Sequence, residues 1–225
     1  MKTEELQTVG KSFLFGGIGE EDRKSLLSCL SAEKKKFKKG EYVVRAGDPV
    51  RAVGIILSGR ADVIKENFWG NRDIVTAVMP GETFAESYAC MPETVSGVSV
   101  QAAEDTEVLF MNIRKILRTC SSACMFHTRL IQNLISLLAK KNILLNEKMT
   151  HVTQRSTREK LLSYLSSESV KRHSAYFDIP YDRQQLADYL SVDRSAMSAE
   201  LSKMKKEKIL DYEKNSFSLK QKNIL

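Results

Sequence analysis

The 225-residue chain is long enough for two ordinary domains or one large one, and 42% apolar with 28% charged residues is the balance of a globular rather than a disordered protein. It has no apolar run of about 18 residues, and the start, MKTEELQTVGK, lacks the apolar core of a secretory signal. Four scattered cysteines (Cys29, Cys90, Cys120, Cys124) make no disulfide framework, so a cytoplasmic protein without membrane attachment is expected, and the net charge of +7 permits a polyanionic partner without specifying one.

Gly16-Gly17-Ile18-Gly19 is no phosphate loop, because no Gly-Lys-Ser/Thr follows it. Glu20-Glu21-Asp22 suits the first turn of a helix, where the macrodipole favours negative charge. The run Lys34-Lys35-Lys36-Phe37-Lys38-Lys39 reads as a solvated strand edge rather than a dock for acidic partners. From Phe37 to about Phe110 the chain alternates short β-rich runs with turn signals. The runs are Tyr42-Val43-Val44, Val53 to Leu57, Ala61 to Ile64 and Ile74 to Val78. Gly47-Asp48-Pro49, Ser58-Gly59, Trp69-Gly70-Asn71 and Pro80-Gly81 punctuate them at even spacing, which predicts a small sandwich or barrel. Ser58-Gly59 and Trp69-Gly70-Asn71 are read as hairpin tips, where glycine supplies positive φ.

The period changes from about Ser122 to Val152. Ile131, Ile135, Leu138, Asn142, Leu145, Met149 and Val152 alternate four and three apart, a heptad seam with one polar seat at Asn142. A second stripe, Phe126, Leu130, Leu134, Leu137 and Leu144, runs beside it. Such a helix can pack on its own domain and on a partner chain. Ser156-Thr157-Arg158-Glu159 is a capping box, so the long helix is expected to break near Arg155. Residues 150–225 carry 14 Lys+Arg against 10 Asp+Glu, a denser positive balance than the rest of the chain.

Asp182 to Leu210 carry the sharpest signal. Asp182 can cap a helix burying Leu186, Ala187 and Leu190; Ser191-Val192-Asp193 is then a tight turn, and Asp193 can cap a second helix with Met197, Leu201 and Met204 inward. The opposite face holds Arg194, Ser195, Ser198, Ala199, Ser202 and Lys203. This is a helix-turn-helix, and Ile209 to Leu219 reads as a β-hairpin wing. Polar residues in the second helix's first turns can reach base edges while flanking lysines meet phosphates, so double-stranded DNA is the expected partner. An αα-hairpin with a solvated basic face is the bland alternative.

In this order, FKKGEYVVRAGDP, GIILSGRADVI, PGETFAE, TREKLLSYL and RQQLADYLSVDRSAMSAELSKM resemble the CRP/FNR family of transcription regulators, from about Phe13 to Leu219. The resemblance implies an α+β fold: a jelly-roll-like, cyclic-nucleotide-binding-like β-roll over 1–121, a long dimerisation helix and hinge over 122–154, and a winged helix-turn-helix over 155–225. It implies a homodimer, not an enzyme, whose β-roll senses a small-molecule effector and controls how two recognition helices meet a near-palindromic operator. RNA polymerase is a further implied partner. Base-reading positions fall at Arg194, Ser195 and Ser198. Lys203 and Lys205 are the candidate phosphate contacts, with Arg183 and Gln184 at the start of the first helix also at the DNA. Position 199, often arginine in the family, is Ala199 here.

The effector site implied by the family maps onto Phe84, Glu86, Ser87, Ser96, Gly97 and Asn142. Two departures argue against a cyclic nucleotide. The residue before Glu86 is Ala85 rather than glycine, and Ser96 falls near the place of the phosphate-pairing arginine, with no Lys or Arg between Arg72 and Arg114. No cofactor is expected. Cys29 alone precedes the roll, too few cysteines for an iron–sulfur cluster. Cys120, Cys124 and His127 share one helical face, which leaves a redox- or metal-responsive regulator as an alternative, beside an effector-binding interaction module that does not bind DNA. His127, His151 and His173 are too scattered for a cupin metal site, and no Gly-x-Ser-x-Gly elbow is present.

Overall fold

The computed structural model describes residues 2–70, 72–91, 93–117 and 125–220. The chain forms two compact units, Met1–Lys140 and Lys141–Leu225, and one long helix passes from the first into the second.

The first unit opens with helices α1 (Thr3–Lys11) and α2 (Glu20–Cys29), separated by a 3-10 turn at Phe13–Phe15. The acidic first turn of α2 matches the expectation for Glu20, Glu21 and Asp22. Eight strands follow: β1 (Glu33–Phe37), β2 (Tyr42–Val44), β3 (Ala52–Ser58), β4 (Ala61–Glu66), β5 (Arg72–Val78), β6 (Thr83–Phe84), β7 (Ser99–Ala102) and β8 (Thr106–Asn112). A short helix α3 (Glu86–Ala89) lies between β6 and β7, and α4 (Ile113–Leu117) follows β8. The strands make two antiparallel sheets, ordered β1-β8-β3-β6 and β2-β7-β4-β5.

The alternation of β3 explains why both faces of the first sheet are dry. Val53, Ile55 and Leu57 join Leu6, Leu14, Phe15, Leu109 and Met111 in one core, while Ile56 joins Ala61, Val78, Phe84, Val100 and Val108 in another. Gly54 sits opposite Phe84, and a side chain there would meet the Phe84 ring within 2.2 Å, so only glycine lets these strands pair. Gly59, with φ of 78°, turns the β3–β4 hairpin as expected. Gly70, with φ of 80°, turns the β4–β5 hairpin; Asn71 lies outside the described residues.

Three lysines of the run on and after β1 are paired within their own fold. Lys34 pairs with Glu5 at 2.6 Å and Glu107 at 3.5 Å, Lys36 with Glu107 at 2.9 Å, and Lys38 with Asp105 at 2.7 Å.

The long helix, α5 (Met125–Val152), buries Leu130, Leu134 and Leu137 in the first unit. Asn133 fixes it there, donating through Nδ2 to the carbonyls of Leu14 at 3.0 Å and Gly16 at 2.9 Å. Beyond Lys140 the apolar residues Ile143, Leu144, Leu145 and Met149 are exposed. The helix ends at Val152 and α6 (Thr157–Arg172) begins after the expected capping box: Ser156 Oγ accepts from Glu159 N, and Ser156 N donates to Glu159 Oε2. The second unit continues with β9 (Tyr176–Asp178), α7 (Arg183–Leu190), α8 (Arg194–Lys206), β10 (Leu210–Glu213) and β11 (Ser216–Leu219). Its sheet runs β10-β11-β9 over a core that includes Leu161, Leu186, Met197, Leu201 and Phe217. No described helix is long and apolar enough to cross a membrane.

Candidate nucleic-acid interface and effector cassette

Local chemistry sets the helix-turn-helix. Asp182 Oδ1 accepts from Gln185 N at 2.8 Å while Gln185 Oε1 accepts from Asp182 N at 2.9 Å, a reciprocal cap that starts α7. Ala187 is fully buried and small enough to let α8 approach. Ser191 ends α7 in the left-handed region at φ of 52°, and Val192 N closes the turn on Ala187 O at 3.0 Å. Asp193 then caps α8, accepting from Ala196 N at 2.8 Å and from the Ser195 hydroxyl. These bonds hold the Asp193 carboxyl below its ordinary range.

Met197, Leu201 and Met204 are completely buried, so helical geometry turns Ser195, Ala199, Ser202, Lys203 and Lys206 outward, with Arg194 and Ser198 toward one flank. Arg194 and Lys203 are exposed, and neither side chain is held in an ion pair among the described residues. Lys205 is engaged: its Nζ lies 2.5 Å from Asp211 and 5.3 Å from the Tyr212 ring, and the Asp211 hydrogen bond raises its pKa. Gln184 is exposed and donates to Asp188 at 2.9 Å. Arg183, expected at the DNA, lies with its guanidinium 4.7 Å from the Tyr212 ring and 5.2 Å from the Phe217 ring. There it is half-buried, one terminal nitrogen lacks a hydrogen-bond partner, and burial lowers its pKa. Its visible work is to join α7 to the wing.

The effector cassette is partly assembled. Glu86 is buried at the start of α3, after Ala85 with φ of 65°. A left-handed alanine is strained by roughly 1 kcal/mol, because Cβ crowds the next carbonyl where glycine would not. Tyr88 links α3 to the 96–97 loop: its hydroxyl lies 3.0 Å from the place a Gly97 side chain would occupy. Tyr88 was not among the expected site residues, since only the fold brings it to Gly97. Ser96 is buried, and its hydroxyl donates to Val98 O at 2.6 Å, so its proton is spent inside the loop. Ser87 and Gly97 are exposed. Phe84 is also among the expected site residues. It is a core ring, packed edge-on against Phe110 with centroids 6.2 Å apart, because the strand alternation of β6 aims it between the sheets. Asn142 is exposed on α5 in the second unit and accepts from Asn146 at 3.3 Å.

Cys120 and Cys124 lie outside the described residues; His127 is buried. Among the described residues no three His, Cys, Asp or Glu side chains cluster to hold a metal ion.

A two-sheet roll, a long helix and a winged helix-turn-helix define a two-domain regulator of the DNA-binding class. The cyclic nucleotide-binding domain family matches residues 34–123 and the Crp-like helix-turn-helix domain family matches residues 159–225. The chain belongs to the CRP/FNR family of transcription regulators. Its fold is similar to the catabolite activator protein of Thermus thermophilus, with 20% identity over 93% of this chain and 94% of that one, at a TM-score of 0.50. It is similar to DNR from Pseudomonas aeruginosa, with 20% identity over 99% and 96% at 0.50. A mutant of CooA from Carboxydothermus hydrogenoformans matches with 17% identity over 86% of each chain at 0.53. No curated protein sequence matches.

Proposed function

We propose that this regulator works as a homodimer, closed along α5, that sets two α8 helices into successive major grooves of a near-palindromic operator. The observation that carries the reading is α8 itself: a fully buried stripe of Met197, Leu201 and Met204 backs an exposed polar and basic face. The exposed seam residues Ile135, Leu145 and Met149, with Asn142 as the polar seat, support the dimer. Two such helices would lie about 34–36 Å apart along the duplex. RNA polymerase is the expected partner on DNA, the cytoplasm the expected compartment, and activity without catalysis the expected mode.

The effector is a small molecule other than cyclic AMP or cyclic GMP. The cyclic phosphate would meet a buried Ser96 with its proton already spent and no cation between Arg72 and Arg114. Calorimetry should register no binding of either nucleotide at micromolar concentrations; a micromolar affinity would reverse this reading.

Binding-site selection tests the DNA assignment. Arg194→Ala should cost roughly 1–3 kcal/mol and relax one base pair in each half-site, because a guanidinium pairs guanine O6 and N7 together. Lys203→Ala should weaken all sequences alike and flatten the salt dependence. Lys205→Ala should do so less, since Asp211 already holds that ammonium. If reversing the charge of Arg194 and Lys203 together leaves DNA binding intact, the chain is an interaction module instead.

A further inference from the structure

The outward centre of α8 is built from small side chains. Ser195, Ala199 and Ser202 follow one another at spacings of four and three, opposite the buried Met197, Leu201 and Met204, and all three are exposed. The hydroxyl protons near this line are committed within the helix and its cap. Ser195 donates to the Asp193 carboxylate, Ser198 donates to Arg194 O at 2.8 Å, and Ser202 donates to Ser198 O at 3.0 Å. The acid on this helix nearest the line, Glu200, faces away and pairs with Arg158 at 3.4 Å. What remains for a ligand is the Ala199 methyl, bordered by hydroxyl lone pairs, with the cation of Arg194 to one side and that of Lys203, assigned above to phosphate, one turn to the other.

This surface discriminates among base edges. In the major groove guanine presents only acceptors at N7 and O6, adenine and cytosine each present an amino donor, and thymine presents a methyl group beside its O4 acceptor. Lone pairs and a methyl offer guanine nothing to bond. They do fit a thymine methyl, with an amino-bearing base next to it. We infer that Ala199 is a specificity-determining residue that packs on the 5-methyl of a thymine in each half-site, and that guanine is read through Arg194 alone. This rests on the DNA-binding reading and adds to it the identity of the base at the centre of the helix.

The test uses the full-length protein. After selection of bound duplexes from a random library, each thymine of the preferred half-site is replaced singly by uracil, which removes only the methyl. One position should lose about fourfold in affinity, the equivalent of one buried methyl-sized group at about 0.8 kcal/mol. The uracil effect at that position should vanish in Ala199→Gly. Because the readout is a thymine-to-uracil ratio, any general weakening of α8 by glycine cancels. Ala199→Arg should move the preference at the same base pair toward guanine. Equal binding of every uracil duplex by the wild type, or a guanine enriched where Ala199→Gly relaxes the choice, would overturn the assignment while leaving DNA binding in place. A selection that enriches no sequence would overturn the DNA-binding reading and this inference together.

Discussion

The two halves of α5 carry the same residue types and treat them oppositely. Leu130 and Leu134 are at most 1% exposed, sealed into the core of the roll and its N-terminal helices, and Leu137 beside them is 7% exposed. Ile143, Leu144, Leu145 and Met149, one to three turns later, are each more than half exposed. Leucine burial is therefore decided here by what the chain can supply beside it. The stripe of Leu130 and Leu134 finds its partner within the domain, and Leu138 of the seam packs beside it, whereas Ile135, Leu145 and Met149 of the seam stay exposed in the single chain. An exposed apolar stripe at heptad spacing is a poor surface for a lone chain and a good one for a second copy.

The strongest way to break this contrast is Ile135→Asp with Leu145→Asp. Both residues are 58% or more exposed in the single chain, so the fold should survive while four carboxylates, two from each protomer, enter the dimer seam at several kcal/mol, in rough terms. Light scattering should then report monomers, and an unchanged dimer would remove the seam from this account. Leu134→Ala acts on the sealed side. It should destabilise the first unit by about 2–5 kcal/mol through the cavity it leaves, with a melting shift that does not depend on protein concentration.

A smaller effect comes from the last turn of α5, where burial returns at His151. Its Nδ1 lies 2.8 Å from Ser163 Oγ, and its ring packs edge-on to Tyr164 at 5.7 Å. Burial, then the Lys171 charge, lowers its pKa from 6.5 against the opposing pull of Glu147 and Glu168. The folded state therefore holds its proton less readily than the unfolded chain. Stability should be full above about pH 6.5 and decline as pH falls from there toward the folded value. Thermal melts at pH 7.5 and 5.5 should show that loss, and His151→Gln should shrink it. An identical loss in the variant would assign the effect to other groups.

Much of this was legible in the sequence wherever local chemistry governs. The capping box at Ser156, the cap at Asp182, the glycine turns at Gly59 and Gly70 and the 3–4 spacing of Met197, Leu201 and Met204 each depend on residues a few places apart, and each stands where the pattern puts it. What escaped depends on distant neighbours. β9 is three residues long and exists through pairing with β11, so its own pattern carries no strand signal. Phe84 reads as an effector-site residue from its neighbours in PGETFAE, while its close pass over Gly54 depends on a strand thirty residues away. Arg183 sits in a helix's first turn like any DNA-facing residue, and only the folded wing stacks rings against it. Ser96 announced a missing cation; that its hydroxyl turns back on Val98 required the loop itself.

One clasp in the second unit has a mechanical meaning. Arg158, in the first turn of α6, grips Glu207 and Glu200 at 3.4 Å, so a single guanidinium holds α8 at two points. Two residues on, Lys160 Nζ donates to the carbonyls of Leu190 and Ser191, at 3.2 and 3.3 Å, where α7 turns into α8. The start of α6 thus acts as an axle bolted to its wheel. Any change in the direction in which residues 153–156 lead into Thr157 would therefore carry α7 and α8 along with α6.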